Sequence, residues 1–192
     1  METSWPTLLE QIRSCQRCSL HRGIRNKVPG QGNAHARLMI IGEGPGAEEN
    51  RQGLAFIGPA GQLLTKMLAA INLSRDEVYI TNVVKCRPPG NRVPLPEEVN
   101  SCLPYLRAQT AMIRPRIVLI LGGTALKYLV DEQARITRSR GQWIYRKGVW
   151  MMPSYHPSAL LRDPSKKREA WVDMQLLRDK LKEVDTEAYS EA

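Results

Sequence analysis

Four short apolar runs punctuate the chain, at Leu38–Ile41, Val78–Val84, Ile117–Leu121 and Val149–Met152. They are continuous rather than alternating, and three are rich in β-branched residues, the pattern of strands covered on both faces. Between them the period changes to that of a helix. Gly61–Ile71 sets Leu64, Met67, Leu68 and Ile71 on one stripe. Pro96–Arg114 opens with proline at the first helical position and Glu97 and Glu98 in the first turn. Its apolar stripe runs through Val99, Cys102, Leu103, Leu106 and Ile113, so Cys102 is expected to face inward. A last helix from about Lys167 carries Trp171, Met174, Leu177, Leu181 and Val184, and a short one at the start carries Trp5, Leu8 and Ile12. Strands alternating with helices predict an α/β layered fold with a mostly parallel sheet. No repeat or low-complexity linker divides the chain, so 1–192 is expected to be one domain with a flexible tail from about residue 186.

In sheets of this kind ligands bind beyond the carboxyl ends of the strands. That rule predicts that Gly42–Gly46, Lys85–Arg87, Gly122–Thr124 and Ser154–Pro157 converge, and polar residues are concentrated at those points.

Composition adds a partner class. The 192 residues, 42% of them hydrophobic, suffice for a real core. No stretch approaches the length of a membrane span, so no membrane partner is expected. Lys plus Arg outnumber Asp plus Glu by 28 to 19, a net charge of +9 that favours polyanions, nucleic acid first. There is a single Phe, Phe56.

All four cysteines fit one metal centre: Cys15-x2-Cys18, then Cys86 and Cys102 bracketing the proline-rich CRPPGNRVPLPEEVNSC. The opening residues do not read as a secretory leader, so a reducing compartment without disulfides is expected. Four thiolates suit zinc or an iron–sulfur cluster, and spacing alone leaves both open beside four unrelated buried thiols.

Four motifs carry candidate chemistry. GEGPGAEEN (42–50) follows the first strand. Pro45 breaks a dinucleotide fingerprint, no helix is expected to follow at once, and the Gly-Lys-Ser/Thr ending of a triphosphate loop is missing. Its glutamates disfavour phosphate and suit a neutral ligand or a carboxylate acting on water; the alternative is a solvated acidic turn. GLAFIGPAG (53–61) offers Phe56 as an aromatic face for a planar base, or as a core residue in a glycine-rich turn. In TNVVKCRPPGNR, Asn82 lies within an apolar strand, where its amide can match a pyrimidine edge or bond to nearby backbone. Lys85, Arg87 and Arg92 around the cysteines are candidate phosphate contacts. In SYHPSALLRDP, His156 sits at a strand end, and Leu160 and Leu161 beside Arg162 form either an apolar wedge with cationic flanks or ordinary core.

Taken in order, GEGPG, G-x-AF-x-G-x-AGQLL, TNVVKCRPPGNR and HPSALLR, with the cysteines among them, resemble the family-four uracil-DNA glycosylases over roughly residues 10–178. The resemblance implies a three-layer α/β/α fold around a four-stranded, mostly parallel sheet. It implies a [4Fe–4S] cluster on Cys15, Cys18, Cys86 and Cys102. It further implies a base-excision-repair enzyme acting on uracil-containing DNA, single- or double-stranded, as a cytoplasmic, nucleoid-associated monomer. By the same resemblance, Glu43 is the water-associated acid, the Gly44 backbone contacts uracil, and Glu49 stands near C5 of the base. Phe56 stacks on the ring, Asn82 reads its edge and His156 reaches O2. Ala47, Asn50 and Ala55 depart from the family pattern without touching these positions.

Two other readings compete. A related enzyme type forms a covalent adduct with DNA through a histidine in the loop matching CRPPGNR, but no histidine lies between His35 and His156. A non-catalytic nucleic-acid-binding or electron-carrier protein would satisfy charge and cysteines but leave Glu43, Asn82 and His156 unexplained.

Overall fold

The computed structural model describes residues 4–190. One mixed sheet runs in the order β1-β3-β2-β4-β6-β5. Its middle is made of the four apolar runs: β2 (Leu38–Gly42), β3 (Tyr79–Asn82), β4 (Ile117–Leu121) and β6 (Val149–Ser154). All four are mutually parallel.

The sheet has six strands, not four. β1 (Gln31–Gly32) pairs antiparallel with β3, and β5 (Ile144–Arg146) antiparallel with β6. At two and three residues they are too short to show an apolar run.

The sheet residues divide between two cores, as strand pleating requires. Met39, Ile41, Val118 and Ile120 face one way. They pack with Leu8 and Ile12 of α1 (Trp5–Ser14) and with Val99, Leu103 and Leu106 of α4 (Pro96–Ile113). Leu38, Ile40, Leu119 and Leu121 face the other. They meet Leu64 and Leu68 of α3 (Pro59–Ala69), and Met174, Leu177 and Val184 of α8 (Lys167–Ser190). The result is the three-layer α/β/α arrangement. The last two positions of the tail expected from about residue 186 lie outside the described residues.

Three short helices have no counterpart in the apolar pattern: α2 (Ala47–Gln52), α5 (Gly123–Leu129) and α7 (Pro157–Arg162). The first corrects the expectation that no helix follows GEGPG at once. Each begins just after a parallel strand ends, and none is long enough to show a stripe. The four-residue α6 (Ile136–Ser139) precedes the β5–β6 hairpin.

Register aligns the carboxyl ends: Gly42 pairs with Asn82, and Leu121 with Ser154. The last of these is anchored from below. Ser154 Oγ donates to Asp173 Oδ2 of α8 at 2.7 Å, and Arg140, just past α6, grips the same buried carboxylate. Burial pushes the Asp173 carboxyl above its ordinary pKa, opposed by the Ser154 hydrogen bond and Arg140. Arg140→Ala would leave that carboxylate buried with its cation gone. Stability is then expected to fall by about 3 kcal/mol, lowering Tm by roughly 6–12 °C. A thermal melt indistinguishable from wild type would contradict this.

Candidate functional site

A cavity of about 560 Å³ opens beyond the carboxyl ends of β2, β3, β4 and β6. Glu43, Gly44, Glu49, Phe56, Asn82 and His156 all line it. Three of the four segments expected to converge do so, joining residues up to 113 positions apart; the fourth, Lys85–Arg87, does not line the cavity, and after β3 it is Asn82, Pro88, Asn91 and Arg92 that reach it.

Asn82, the last residue of β3, is 1% exposed, and its Oδ1 has no hydrogen-bond partner among the described residues. An unmet buried acceptor costs about 1–3 kcal/mol, which a ligand donor would recover. Its neighbour in register is Gly42. A Cβ there would stand 2.5 Å from Phe56 Cζ and 2.6 Å from Asn82 Oδ1. The floor admits no side chain, because amide and aromatic ring already meet above it.

Phe56 is held in an unusual backbone state, with φ +51° and its ring buried. A bulky residue in the left-handed region signals imposed strain. Two contacts impose it. Gly61 of α3 lies so close that a Cβ would sit 1.8 Å from the Phe56 carbonyl oxygen. Glu49 Oε1 accepts from the amides of Ile57 at 2.9 Å and Gly58 at 2.8 Å, while its Oε2 accepts from Gly46 at 3.1 Å. Glu49 thus clamps the Phe56 loop to the glycine turn, with both oxygens engaged by backbone.

His156 caps α7, and its ring centre lies 5.4 Å from that of Phe56. The Ser158 amide donates to His156 Nδ1 at 3.1 Å, and Ser158 Oγ lies 2.8 Å from the same atom. A backbone N–H can only donate, so Nδ1 is bare and the proton of the neutral ring is on Nε2. Burial, with Arg162 nearby, lowers the His156 pKa to about 4, against a small opposing effect of Glu49. Gly122, with φ +93°, lets the end of β4 pass close behind, where a Cβ would lie 3.1 Å from His156 Cβ.

Glu43 follows β2, and its Oε2 accepts from Thr124 Oγ1 at 2.5 Å. At Gly44 a Cβ would come within 2.8 Å of Val84 Cγ2, so the backbone itself forms the wall there.

The rim departs further from expectation. Leu160 is buried against Tyr155 and Ala170, so of the leucine pair only Leu161, 45% exposed, faces solvent. Arg162 lines the cavity mouth beside it. Arg92 lines it opposite, doubly bonded to Glu98 at 2.7 and 2.8 Å. Next to it Val93, 61% exposed, is an apolar rim residue that the sequence reading missed. Arg87 turns instead to Asn91, its Nε donating to Oδ1 at 2.8 Å. Lys85 cannot touch phosphate, because it is fully buried. Its Nζ donates to Thr81 Oγ1 at 2.6 Å and to the Asn82 carbonyl at 2.8 Å. Burial lowers its pKa to about 7, with Cys102 opposing. Ser158 was also missed, and Thr124 was expected near the site only as the end of the Gly122–Thr124 segment, without a role: single hydroxyls in short helices leave no spacing signal.

The four cysteines share a second, small cavity with Lys85 and Tyr105. All four are free thiols. Burial, with Cys102 and Cys18 close by, pushes the Cys86 thiol up to about 12, and burial also raises Cys18 and Cys102. Among the described residues no three His, Cys, Asp or Glu side chains are set to hold a single metal ion. Four soft sulfur donors around one space suit a thiolate-bound metal centre, whose binding would displace the thiol protons.

A family model described as the Uracil DNA glycosylase superfamily matches residues 29–176. A type-4 uracil-DNA glycosylase of Thermotoga maritima is 46% identical over 160 residues, covering 81% of this chain and 82% of the relative. One from Archaeoglobus fulgidus is 43% identical over 171 residues, covering 84% and 85%. A type-5 uracil-DNA glycosylase of Pyrobaculum aerophilum is 39% identical over 150 residues, covering 69% and 66%.

The ring state of His156 is open to direct measurement. Nitrogen-15 NMR should show a neutral ring protonated on Nε2 from pH 8 down to about 5, with a midpoint near 4. The sign for stability follows: a folded pKa below the unfolded value of about 6.5 gives a contribution that is full above that pH and is lost as pH falls towards 4. A midpoint near 6.5 would contradict the half-buried, Ser158-bonded imidazole.

Proposed function

Since the chain belongs to the uracil-DNA glycosylase superfamily and to its type-4 members, we propose that it hydrolyses the bond between uracil and C1′ of deoxyribose in DNA. Free uracil and an abasic site are the products. The observation that carries this reading is the buried, unpartnered Oδ1 of Asn82, facing the same cavity as Phe56 and His156. A pyrimidine stacked on Phe56 would present N3–H to Asn82 Oδ1 and O4 to its Nδ2, with O2 towards His156 Nε2–H. Cytosine reverses the first two matches, leaving polar groups unpaired, a mismatch worth several kcal/mol.

The base is inaccessible in a duplex, so it must be flipped out or taken from a single strand. The net positive charge supports an affinity for the backbone, and Arg162 with Leu161 on one rim and Arg92 with Val93 on the other are the proposed DNA contacts. As the C1′–N1 bond breaks, its electron pair leaves with the base and C1′ becomes cationic. His156 holds a proton on Nε2 against the charge growing on O2. Losing such a donor typically lowers the rate by about 10²–10³. Glu43, which lines the same cavity, is the carboxylate proposed to orient the water that attacks C1′ and to offset the charge on the sugar. Water gives its oxygen to C1′ and its proton ends on the released base. Glu49 acts by holding the Phe56 loop in place.

The free cysteines Cys15, Cys18, Cys86 and Cys102 are the proposed ligands of a [4Fe–4S] cluster. When bound, it supplies four iron–thiolate bonds cross-linking the segment after α1, the loop after β3 and α4. No helix among the described residues is long and apolar enough to cross a membrane. A cytoplasmic monomer working on DNA is the proposed setting.

Incubation with a uracil-containing oligonucleotide followed by alkali should cut the strand at uracil, and cutting no greater than without protein would overturn the assignment. Gly42→Ala, whose methyl would strike Phe56 and Asn82, should lower the cleavage rate by about 100-fold or more while the protein stays folded. Analysis of the purified protein should find iron and sulfide, four of each per chain; zinc in their place would contradict the cluster.

A further inference from the structure

We propose that Thr124 is a positioning residue for the hydrolysis, fixing through its hydroxyl which oxygen of Glu43 faces the sugar. This rests on the uracil-glycosylase reading of the same cavity. Glu43 lies on the turn after β2, and Thr124 lies in the first turn of α5, just past β4. β2 and β4 are neighbours in the sheet, so the two residues meet although 81 positions apart. Thr124 Oγ1 donates to Glu43 Oε2 at 2.5 Å, and it is the one hydrogen-bond partner the Glu43 carboxylate has among the described residues, the Glu43 carbonyl accepting separately from the Val84 amide at 3.1 Å.

A glutamate carboxylate hangs on three rotatable bonds, and among the described residues no other hydrogen bond or ion pair holds this one. Threonine is suited to the task because its β-branch leaves few χ1 positions, so its hydroxyl direction is set by the backbone of α5. With Oε2 drawn back towards α5, Oε1 is the oxygen left for the water on the cavity side. Thr124 itself does not line the cavity, and so it reaches the reaction only through Glu43. A misplacement of about 1 Å at such a water can cost on the order of a hundredfold in rate.

The test is single-turnover uracil release by four proteins: wild type, Thr124→Val, Glu43→Ala and the double variant, with Thr124→Ser beside them. Thr124→Val keeps the shape and loses the hydroxyl. It should slow release about 10–100-fold while binding uracil-containing DNA within twofold of wild type, and Thr124→Ser should restore most of the rate. In the Glu43→Ala background, Thr124→Val should change the rate less than twofold, because the group it positions is gone. If Thr124→Val does not fold, Thr124→Ala takes its place with the same expectations. A wild-type rate in Thr124→Val, a defect that appears only as weaker DNA binding, or defects that multiply in the double variant would each overturn the proposal. Absence of release by wild type, or full activity of Glu43→Ala, would instead overturn the reading on which it rests.

Discussion

The parallel pairing of β2 with β3 sets Gly42 beside Asn82 at the carboxyl edge of the sheet, and the pocket is organised around that pair. A side chain at 42 would fill the space where the Asn82 amide and the Phe56 ring meet. Without one, the strand end is left bare, and a carboxamide oxygen stays buried above it with no partner among the described residues. Such an atom is unfavourable in the empty protein and favourable only when something donates to it. The stability sacrificed there, and the specificity proposed for it, come from the same register.

Around that edge the working groups are held by hydrogen bonds to backbone or to short side chains. Glu49 uses both oxygens on three amides, Ser158 fixes the tautomer of His156, and Thr124 restrains Glu43. Below the floor, Lys85 ties the Asn82 carbonyl to Thr81 in a fully buried network, while its own amide donates to Cys102 Sγ at 3.3 Å. Lys85 thus links the Asn82 backbone to the cysteine cavity. On the other flank, the Ser154–Asp173–Arg140 group anchors β6 two residues before His156. Preorganisation of this kind spares the reaction the reorganisation that mobile groups would need.

The parallel strands and the long helices were legible because their burial leaves a period in the sequence. Leu38–Ile41 and Ile117–Leu121 are unbroken apolar runs, and α4 begins at the proline that marks it. The residues that line the cavity were legible because each interrupts such a pattern, as Asn82 does inside the Val78–Val84 run, or completes a motif, as Glu43 and His156 do. The rest needed coordinates. β1 and β5 are too short to carry a signal, and the six residues of α2, directly after the glycine turn, are too few to show a helical stripe. Leu160 and Leu161 are adjacent and identical in chemistry, yet a helix puts one in the core and the other in solvent. Lys85 reads as a surface cation beside Arg87, and only the three-dimensional setting reveals it as an internal tie.

The central claim is that Phe56, Asn82 and His156 close on one flat pyrimidine. A crystal structure of the protein soaked with free uracil tests it without relying on turnover. The account predicts the base stacked on Phe56, with N3 about 3 Å from Asn82 Oδ1 and O2 about 3 Å from His156 Nε2. Uracil bound away from this cavity, or lying in it with its N3–O2 edge turned from Asn82 and His156, would contradict it.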